Sequence, residues 1–354
     1  MNDNDIMSMT PAELREYMVS AGEAPYRAGQ VFSWIHRGAH PEEMTDLPKS
    51  LREKLASGEY RMPRVLRRQD SKDGETSKYL LSLIDGECVE AVLMRHDYGT
   101  SLCISSQVGC RMGCAFCAST RAGRVRDLLP SEMIGQVAAV SRDAGERVDK
   151  IVIMGIGEPL DNYDNVTRFL RLLNEKDGLG IGLRNVSLST CGLVPEIKKL
   201  AREGLPVTLS VSLHAYSDEK RRELMPVARK YSLDSLMEAC RYYFEQTGRR
   251  VSFEYTLISG KNDSPEDARG LAALLKEKMR YPSHVNLILL NEVKETGLRR
   301  PDRARAAHFA RMLNDMGQNA TVRRSLGGDI EGACGQLRRA READRAAEEN
   351  FTKE

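Results

Sequence analysis

The sequence predicts an α/β protein that combines a parallel β-sheet, either open or curled into a partial barrel, with a small helical domain at its N-terminus. Three observations support this fold class. The chain has 354 residues, more than the roughly 250–300 over which a single hydrophobic core grows. Apolar residues recur at helical intervals between residues 10 and 57, and short apolar strands alternate with amphipathic helices after residue 130.

The N-terminal helical segment begins at a capping motif. Thr10 is followed by Pro11 and, three residues after the threonine, by Glu13. A hydroxyl residue followed three positions later by glutamate, with proline at the first helical position, is typical of a helix start. We therefore predict an N-terminal helical accessory domain over residues 1–60.

The next segment, residues 61–95, has the texture of short β-strands. Runs of alternating or β-branched residues are separated by Asp73-Gly74 and by Asp85-Gly86. Asp-Gly between two such runs is a strong signal for a hairpin turn. These residues are predicted to form a β-hairpin extension between the helical domain and the core.

The core is predicted to span residues 96–337. Short apolar strands are expected at residues 150–154, 185–189, 207–213, 251–258 and 284–290. Because repeated β–α units place the carboxyl ends of parallel strands at one edge, that edge is the expected rim of an active site. Residues 338–354, rich in Ala, Arg and Glu, are predicted to form a charged tail with no assigned role.

Composition limits the function classes. No apolar run approaches the ~20 residues of a membrane span, and the polar, acidic residues 1–10 do not resemble a secretory signal. We therefore expect a cytoplasmic protein with no membrane partner. The net charge of +2 says little about nucleic acid, because local clusters can form a basic face. Such clusters, each interpreted most simply as a solvated face, occupy residues 61–78, 121–126, 221–230, 299–305 and 323–324.

The eight cysteines point to thiol or metal chemistry, since a chain without a signal peptide does not normally carry structural disulfides. Cys110, Cys114 and Cys117 have the spacing CxxxCxxC directly after a predicted strand. Three thiolates on an iron–sulfur cubane leave one iron open, whereas a structural zinc or an electron-transfer cluster uses four ligands. Cys103, seven residues upstream, is the alternative fourth ligand.

The cysteine motif, with Phe116 before its last cysteine, resembles the signature of the radical S-adenosylmethionine (SAM) superfamily. Gly157 and Glu158, in the segment Gly-Ile-Gly-Glu-Pro after an apolar strand, resemble the superfamily motif that receives the SAM amino group. The resemblance implies a partial (βα)6-type radical SAM barrel. It also implies a [4Fe–4S] cluster that binds SAM and cleaves it to a 5′-deoxyadenosyl radical.

Segments along nearly the whole chain resemble one family more closely, the RlmN adenine-C2 methyltransferases with their C8-methylating relative Cfr. These segments are residues 22–34, 43–55, 103–110, 189–195, 212–215, 285–291 and 332–337. The resemblance implies methylation of C2 of an adenosine in 23S rRNA, and in tRNA next to the anticodon, with residues 1–60 binding RNA. The alternative is Cfr-like C8 methylation of 23S rRNA, which confers antibiotic resistance; the motif around Glu158 and the N-terminal segment favour C2.

The resemblance also implies a set of SAM contacts, each of which has a simpler interpretation. Ser189 and Ser212 are otherwise ordinary residues at strand ends, His214 a hydrogen-bonded core histidine, and Asn291 a turn residue. The full implied set is Gly157, Glu158, Ser189, Ser212, Leu213, His214 and Asn291.

Three further residues carry the reaction that the resemblance implies. Cys334 is methylated on sulfur by one SAM, and the radical from a second SAM abstracts hydrogen from that methyl group. Glu90 accepts the proton lost from the adenine. Cys103 is the resolving thiol, which releases the product by forming a transient disulfide with Cys334. Without the resemblance, both cysteines are more simply buried small hydrophobes and Glu90 a solvent-facing strand residue.

The remaining expectations concern partners and departures from the family. An electron donor such as flavodoxin or ferredoxin is implied, and a monomer is expected. Segments 123–127 and 289–294 depart from the family pattern, and Cys88, Cys191 and Cys240 are assigned no role beyond structure. A non-catalytic RNA-binding or electron-transfer protein is the alternative of a different class, and it would not convert SAM to 5′-deoxyadenosine.

Overall fold

The computed structural model describes residues 5–57 and 60–337, so the predicted tail at 338–354 lies outside the described residues. The N-terminal part contains helices α1 (Pro11–Ser20), α2 (Arg27–His36) and α3 (Lys49–Ser57). Thr10 and Glu13 form the predicted capping box: the threonine side chain accepts from the Glu13 amide, and the glutamate accepts from the Thr10 amide at 2.7 Å. The expected helical segment is confirmed.

Four antiparallel strands follow: β1 (Arg64–Asp70), β2 (Thr76–Ser82), β3 (Cys88–His96) and β4 (Gly99–Cys103). Both predicted Asp-Gly turns are present. Gly74 and Gly86 have φ angles of 71° and 77°, a left-handed conformation that glycine adopts without the steric penalty of a Cβ. These strands are continuous with the main sheet of the protein rather than forming a separate hairpin.

The rest of the chain alternates strands and helices. A small two-stranded sheet pairs β5 (Gln107–Gly109) with β6 (Arg124–Asp127). The remaining elements are α4 (Pro130–Ala144), β7 (Lys150–Ile153), α5 (Tyr163–Leu173), β8 (Val186–Thr190), α6 (Val194–Ala201), β9 (Thr208–Ser212), α7 (Asp218–Leu224), α8 (Leu233–Thr247), β10 (Val251–Leu257), α9 (Pro265–Leu274), β11 (Ser283–Leu289), α10 (Arg303–Asp315) and β12 (Ala320–Val322).

The main sheet has ten strands in the order β1-β2-β3-β4-β7-β8-β9-β10-β11-β12. All pairings from β4 to β12 are parallel. Residues of β3 and β4 line the same cavity as residues that follow β12. The sheet must therefore curl to bring its two ends together. The α/β fold with a curled, mostly parallel sheet is thereby confirmed. The five strands expected between residues 150 and 290 all form.

The N-terminal helices pack directly onto the barrel. Phe32 and Ile35 of α2 belong to one continuous apolar core with Val137 of α4. A Cβ on Gly38 would lie 2.9 Å from the Ala138 carbonyl oxygen, so only glycine permits the close approach after α2. Because the helices share the core of the barrel, the boundaries at residues 60 and 95 stay predictions. Within the described residues, no helix is long and apolar enough to cross a membrane.

Candidate active site

The cysteine loop lies between β5 and β6 and is folded tightly by its glycines. The Cys110 amide donates to the Gly123 carbonyl at 3.1 Å. A Cβ on Gly109 would lie 1.9 Å from that same oxygen, and Gly109 has a φ of 75°. The turn therefore requires glycine at this position. It brings Cys110, Cys114 and Cys117 onto the wall of one cavity, here called the inner cavity.

The inner cavity is also lined by residues at or just after the carboxyl ends of the parallel strands. Six of the seven residues that the resemblance assigned to SAM are among them: Gly157, Glu158, Ser189, Ser212, His214 and Asn291. The seventh, Leu213, has a fully buried side chain in the apolar core. Only its backbone can face a ligand, and its amide already donates to the Glu254 carbonyl at 3.0 Å.

Glu158 is buried, and both of its carboxylate oxygens accept backbone hydrogen bonds. The Cys191 amide donates to Oε2 at 2.7 Å, and the Leu160 amide donates to Oε1 at 3.1 Å. Burial raises the pKa of this carboxyl above its ordinary value, and the backbone donors offset only part of that increase. The carboxylate therefore sits in a fixed position beside the thiols, where it can bind an ammonium group.

His214 is held neutral. Its Nδ1 accepts from the Thr256 amide at 2.9 Å, which leaves its other ring nitrogen as the N–H donor. Burial, reinforced by the charge of Arg221, lowers the pKa of His214 to about 3. Its ring contacts Phe116 edge-on, with the centroids 4.7 Å apart. A neutral donor lining the inner cavity suits a ligand that needs a hydrogen bond without a further charge.

A second cavity, here called the outer cavity, adjoins the inner one and has a volume of about 420 Å³. Its lining includes Cys103 and Cys334 together with His96, Tyr98 and Arg323. The two cavities share four lining residues: Met154, Ile288, Asn291 and Cys334. Cys334 therefore lies at the border between the cysteines predicted to bind the cluster and the predicted resolving cysteine.

The loop that carries Cys334 is fastened to the cysteine loop and to Asn291. The Asn291 side chain donates to the Cys334 carbonyl at 3.0 Å. The Ala118 amide donates to the Gly335 carbonyl at 2.8 Å, and the Ser119 hydroxyl donates to the Leu337 carbonyl at 2.7 Å. The Cys334 side chain itself is exposed. The backbone is thus positioned while the thiol remains accessible.

Cys103 and Glu90 are both buried, and Cys103 lines the outer cavity. Cys103 packs with Val92 and Leu337, and burial raises the pKa of its thiol to about 12. Glu90 is two residues before Val92 on β3, so it points to the same face of the strand. Its carboxylate forms a buried ion pair of 2.6 Å with Lys78. The alternative interpretation of Glu90 as a solvent-facing residue is wrong.

Two arginines near the cavities belong to the basic clusters of the sequence and were not predicted as site residues. Arg323, after β12, lines the outer cavity and lies 4.0 Å from the Glu254 carboxylate; the neighbouring Cys334 and Glu254 raise its pKa. Arg221 of α7 is fully buried, so the interpretation of cluster 221–230 as a solvated face is wrong for it. The helix pattern could have signalled Arg221, since it lies on the same face as Leu224.

Comparison with known proteins agrees with this geometry. Residues 104–272 match the family model of the radical SAM superfamily, and residues 4–59 match that of the ribosomal RNA large subunit methyltransferase N-terminal domain. A probable dual-specificity RNA methyltransferase RlmN from Clostridium perfringens is 48% identical, covering 95% of this chain and 97% of the relative. The chain belongs to the RlmN family of radical SAM enzymes.

Further RlmN relatives and a solved structure agree with that assignment. The protein of the same name from Desulforamulus reducens is 49% identical, covering 97% of this chain and 98% of the relative. The crystal structure of a radical SAM methyltransferase from Sphaerobacter thermophilus is 44% identical, with a TM-score of 0.90 over 94% of this chain and 99% of that one. The expected radical SAM RNA methyltransferase is confirmed at the level of the RlmN family.

The inner cavity fits the [4Fe–4S] cluster and SAM that the family implies. Its lining brings these three thiols together with the Glu158 carboxylate, the Ser189 and Ser212 hydroxyls and the Asn291 amide. Within residues 5–57 and 60–337, no three His, Cys, Asp or Glu side chains converge as ligands of a single metal ion. A cubane has a different requirement, because each thiolate binds a different iron. Cys110, Cys114 and Cys117 would hold the cluster.

Proposed function

We propose that this chain methylates C2 of an adenosine in 23S rRNA, and of an adenosine next to the anticodon in tRNA. The methyl group passes through the sulfur of Cys334, and a transient disulfide with Cys103 releases the product. One observation carries the proposal: Cys334 lines both cavities, so one sulfur can face the cofactor and the substrate.

The inner cavity would serve two SAM molecules in each turnover. Glu158 is positioned to bind the ammonium of SAM, and Asn291 and Ser212 to bind its other polar groups. The thiol of Cys334 first loses its proton and accepts the methyl group of one SAM. When bound, the cluster and a second SAM supply a 5′-deoxyadenosyl radical, which removes a hydrogen atom from that methyl group. Radical attack suits C2, a carbon that is neither acidic nor nucleophilic.

Release of the product would depend on the outer cavity. After the carbon–carbon bond forms, the radical adduct gives one electron to a one-electron acceptor, and the protein is then joined to RNA through Cys334. Glu90 accepts the proton lost from C2, and Lys78, 2.6 Å away, stabilises the carboxylate in its ionised, proton-accepting form. The Cys103 thiolate then attacks the Cys334 sulfur and forms the disulfide. The bond between that sulfur and the methylene carbon breaks, and its electron pair together with one proton converts the methylene into the methyl group of the product. A thiol reductant must reduce that disulfide before the next turnover.

The rim of the outer cavity has the chemistry of an RNA-binding surface. Tyr98 is 68% exposed and stacks on His96 with ring centroids 4.8 Å apart. Lys150 lies 3.8 Å from the centre of the tyrosine ring. Aromatic rings beside cations bind unpaired bases and phosphates. We infer that the target adenosine leaves its stack to enter this cavity, while residues 1–60 bind RNA further away.

The remaining partners follow from the same chemistry. Reduction of the cluster needs a one-electron donor of low potential, such as a flavodoxin or ferredoxin. We place the protein in the cytoplasm, where the RNA substrates are, and expect it to act as a monomer.

Mass spectrometry of nucleosides tests the regiochemistry. Deleting the gene should remove 2-methyladenosine from both 23S rRNA and tRNA, and the wild-type gene should restore it. Restoration by the Cys334→Ala gene would exclude the route through sulfur. Loss of 8-methyladenosine instead would establish the C8 alternative, and loss from rRNA alone would remove tRNA from the substrates.

A further inference from the structure

Arg221 is a buried cation whose hydrogen bonds all go to backbone carbonyls. The side chain, 0% exposed, donates to the carbonyl oxygens of Leu213 at 3.2 Å, Cys191 at 2.7 Å and Ser212 at 3.2 Å. Its Nη1 atom is buried and has no hydrogen-bond partner. The guanidinium thus ties together the carboxyl ends of β8 and β9, but its charge is not neutralised there.

In the part of the chain that the structure describes, no carboxylate lies within 4.0 Å of the Arg221 guanidinium. Asp218, one turn earlier on α7, acts on the Arg221 charge from a greater distance, and its side chain accepts from the Leu233 amide at 2.8 Å. Glu158 lies on the far side of Cys191: it accepts from the Cys191 amide, whereas Arg221 donates to the Cys191 carbonyl. An isolated buried charge is strongly unfavourable, so this arrangement calls for an anion that completes it.

The helix that carries Arg221 backs the cysteine loop. The Ala115 amide donates to the carbonyl of Leu224, the last residue of α7, at 2.9 Å. Leu224 and Met225 pack in one apolar cluster with Cys114 and Cys191. Arg221 itself donates to the carbonyl of Cys191, a member of that same apolar cluster. Its guanidinium is therefore held next to the residues that pack against Cys114.

We propose that Arg221 is the buried counter-charge of the iron–sulfur cluster and that it raises the cluster's reduction potential. Reduction adds one electron from an external one-electron donor, with no bond made or broken, and makes the cluster one unit more negative. A nearby fixed cation in a site of low dielectric favours the more negative state. Glu158 is present in the wild type and in every variant, so its charge does not alter the comparison between them. The inference rests on the cluster assigned above to Cys110, Cys114 and Cys117.

Redox titration of the reconstituted protein, without SAM, tests the inference. The variants are Arg221→Gln, which removes the charge, and Arg221→Lys, which keeps the charge but not the full set of carbonyl bonds. Arg222, the next residue on α7, is exposed, so Arg222→Gln is the matched control for the loss of one positive charge. Iron content, visible absorbance and the spin signal of the reduced cluster are measured at fixed solution potentials.

At a fixed potential, Arg221→Gln should lower the ratio of reduced to oxidised cluster about tenfold, equivalent to about 59 mV for a one-electron couple. The ratio in Arg221→Lys should stay close to that of the wild type. The ratio in the control Arg222→Gln should equal that of the wild type. An unchanged ratio in Arg221→Gln with a full cluster would overturn the inference and leave Arg221 a purely structural tie.

Loss of the cluster in a variant is also decisive. If Arg221→Gln cannot hold iron and Arg221→Lys can, the cation is needed to hold the anionic cluster, which supports the inference. If both variants fail to hold it, the carbonyl bonds matter and the charge does not, and the inference is wrong. A wild-type protein that binds no [4Fe–4S] cluster would refute the proposed cofactor itself, which is a different outcome.

Discussion

The inner and outer cavities meet at Cys334 but are built from different parts of the chain. The inner cavity is lined by residues at or just after the carboxyl ends of neighbouring parallel strands and by one continuous cysteine loop. The outer cavity is lined by β3 and β4, near one end of the sheet, and by residues after β12, at its other end. Cofactor chemistry thus rests on local motifs, and substrate chemistry depends on the curl of the whole sheet.

The cavities also differ in how their polar groups are held. In the inner cavity, Glu158 and His214 are buried and fixed by backbone amides. In the outer cavity, Cys334 and Tyr98 are exposed, and the surface residue Arg324 forms an ion pair with Glu75. A rigid site suits a cofactor that must be oriented, whereas an accessible site suits a large substrate that arrives and leaves.

The largest expected effect is that of Cys114→Ala, which should abolish the reactions proposed for both cavities. Cys114→Ala removes one of the three thiolates of the proposed cluster, so the iron content should fall from about four per chain to near zero. Formation of 5′-deoxyadenosine and RNA methylation should both disappear. Cys240→Ala, in a buried cysteine of α8, is the control and should retain the cluster. A Cys114→Ala protein that still cleaves SAM would refute the assignment.

Cys334→Ala should abolish RNA methylation without changing what the inner cavity binds. The inner cavity keeps all three cluster thiols, so iron content and SAM binding should match wild type. RNA methylation should fall below detection, because no sulfur remains at the border to carry the methyl group. Radiolabelled methyl SAM should label the wild-type protein and leave the variant unlabelled. RNA methylation by this variant would show that the methyl group bypasses Cys334.

Glu90→Gln should slow the reaction assigned to the outer cavity and leave the inner cavity unchanged. The change removes the proposed proton acceptor but keeps its shape, so RNA methylation should slow by about 10²–10⁴-fold. The iron content and the methylation of Cys334 should be unchanged. Lys78→Met is the companion variant, since it removes the other member of the buried pair, and it should lower thermal stability as well as rate. Normal RNA methylation by Glu90→Gln would exclude Glu90 as the base.

The smallest expected effect is a difference in pH dependence. His214, with a pKa of about 3, stays neutral from pH 6.5 to 8.5 and should add no slope to 5′-deoxyadenosine formation. The Cys103 thiol, with a pKa of about 12, is protonated throughout that range. Its thiolate fraction therefore rises up to tenfold per pH unit, and release of RNA from the protein should accelerate accordingly. Single-turnover measurements follow both steps; a pH-independent release would show that Cys103 deprotonation is not limiting.

Much of the fold could be predicted from sequence periodicity. The strands at residues 150–290 are apolar runs between amphipathic helices. The two Asp-Gly turns directly mark the β1–β2 and β2–β3 hairpins. β12 was missed because it has only three residues, of which Thr321 and Val322 are exposed, so it lacks a buried-strand pattern. The continuity of β1–β3 with the parallel sheet was also missed, since strand pairing depends on contacts distant in sequence.

The inner cavity was more predictable than the outer one for the same reason. The cysteine motif and Gly-Ile-Gly-Glu are contiguous, and the structure shows why they are glycine-rich: a Cβ on Gly155 would lie 2.6 Å from the Ile104 carbonyl oxygen. Arg323 looked like an ordinary surface cation, because nothing local distinguishes it from an exposed arginine. For Arg221, only its helical spacing from Leu224 indicates burial. The pairing of Glu90 with Lys78 joins adjacent strands β2 and β3, whose register no motif records.

A denaturing gel of Cys103→Ala after a single turnover with RNA tests directly whether Cys334 carries the methyl group and whether Cys103 releases the RNA product. The variant keeps the cluster, Cys334 and Glu90, so it should methylate Cys334 and attack the base but have no thiol to end the reaction. A nuclease-sensitive protein–RNA adduct should accumulate, and it should vanish in the variant that also carries Cys334→Ala. Normal turnover by Cys103→Ala, with no adduct, would contradict the account.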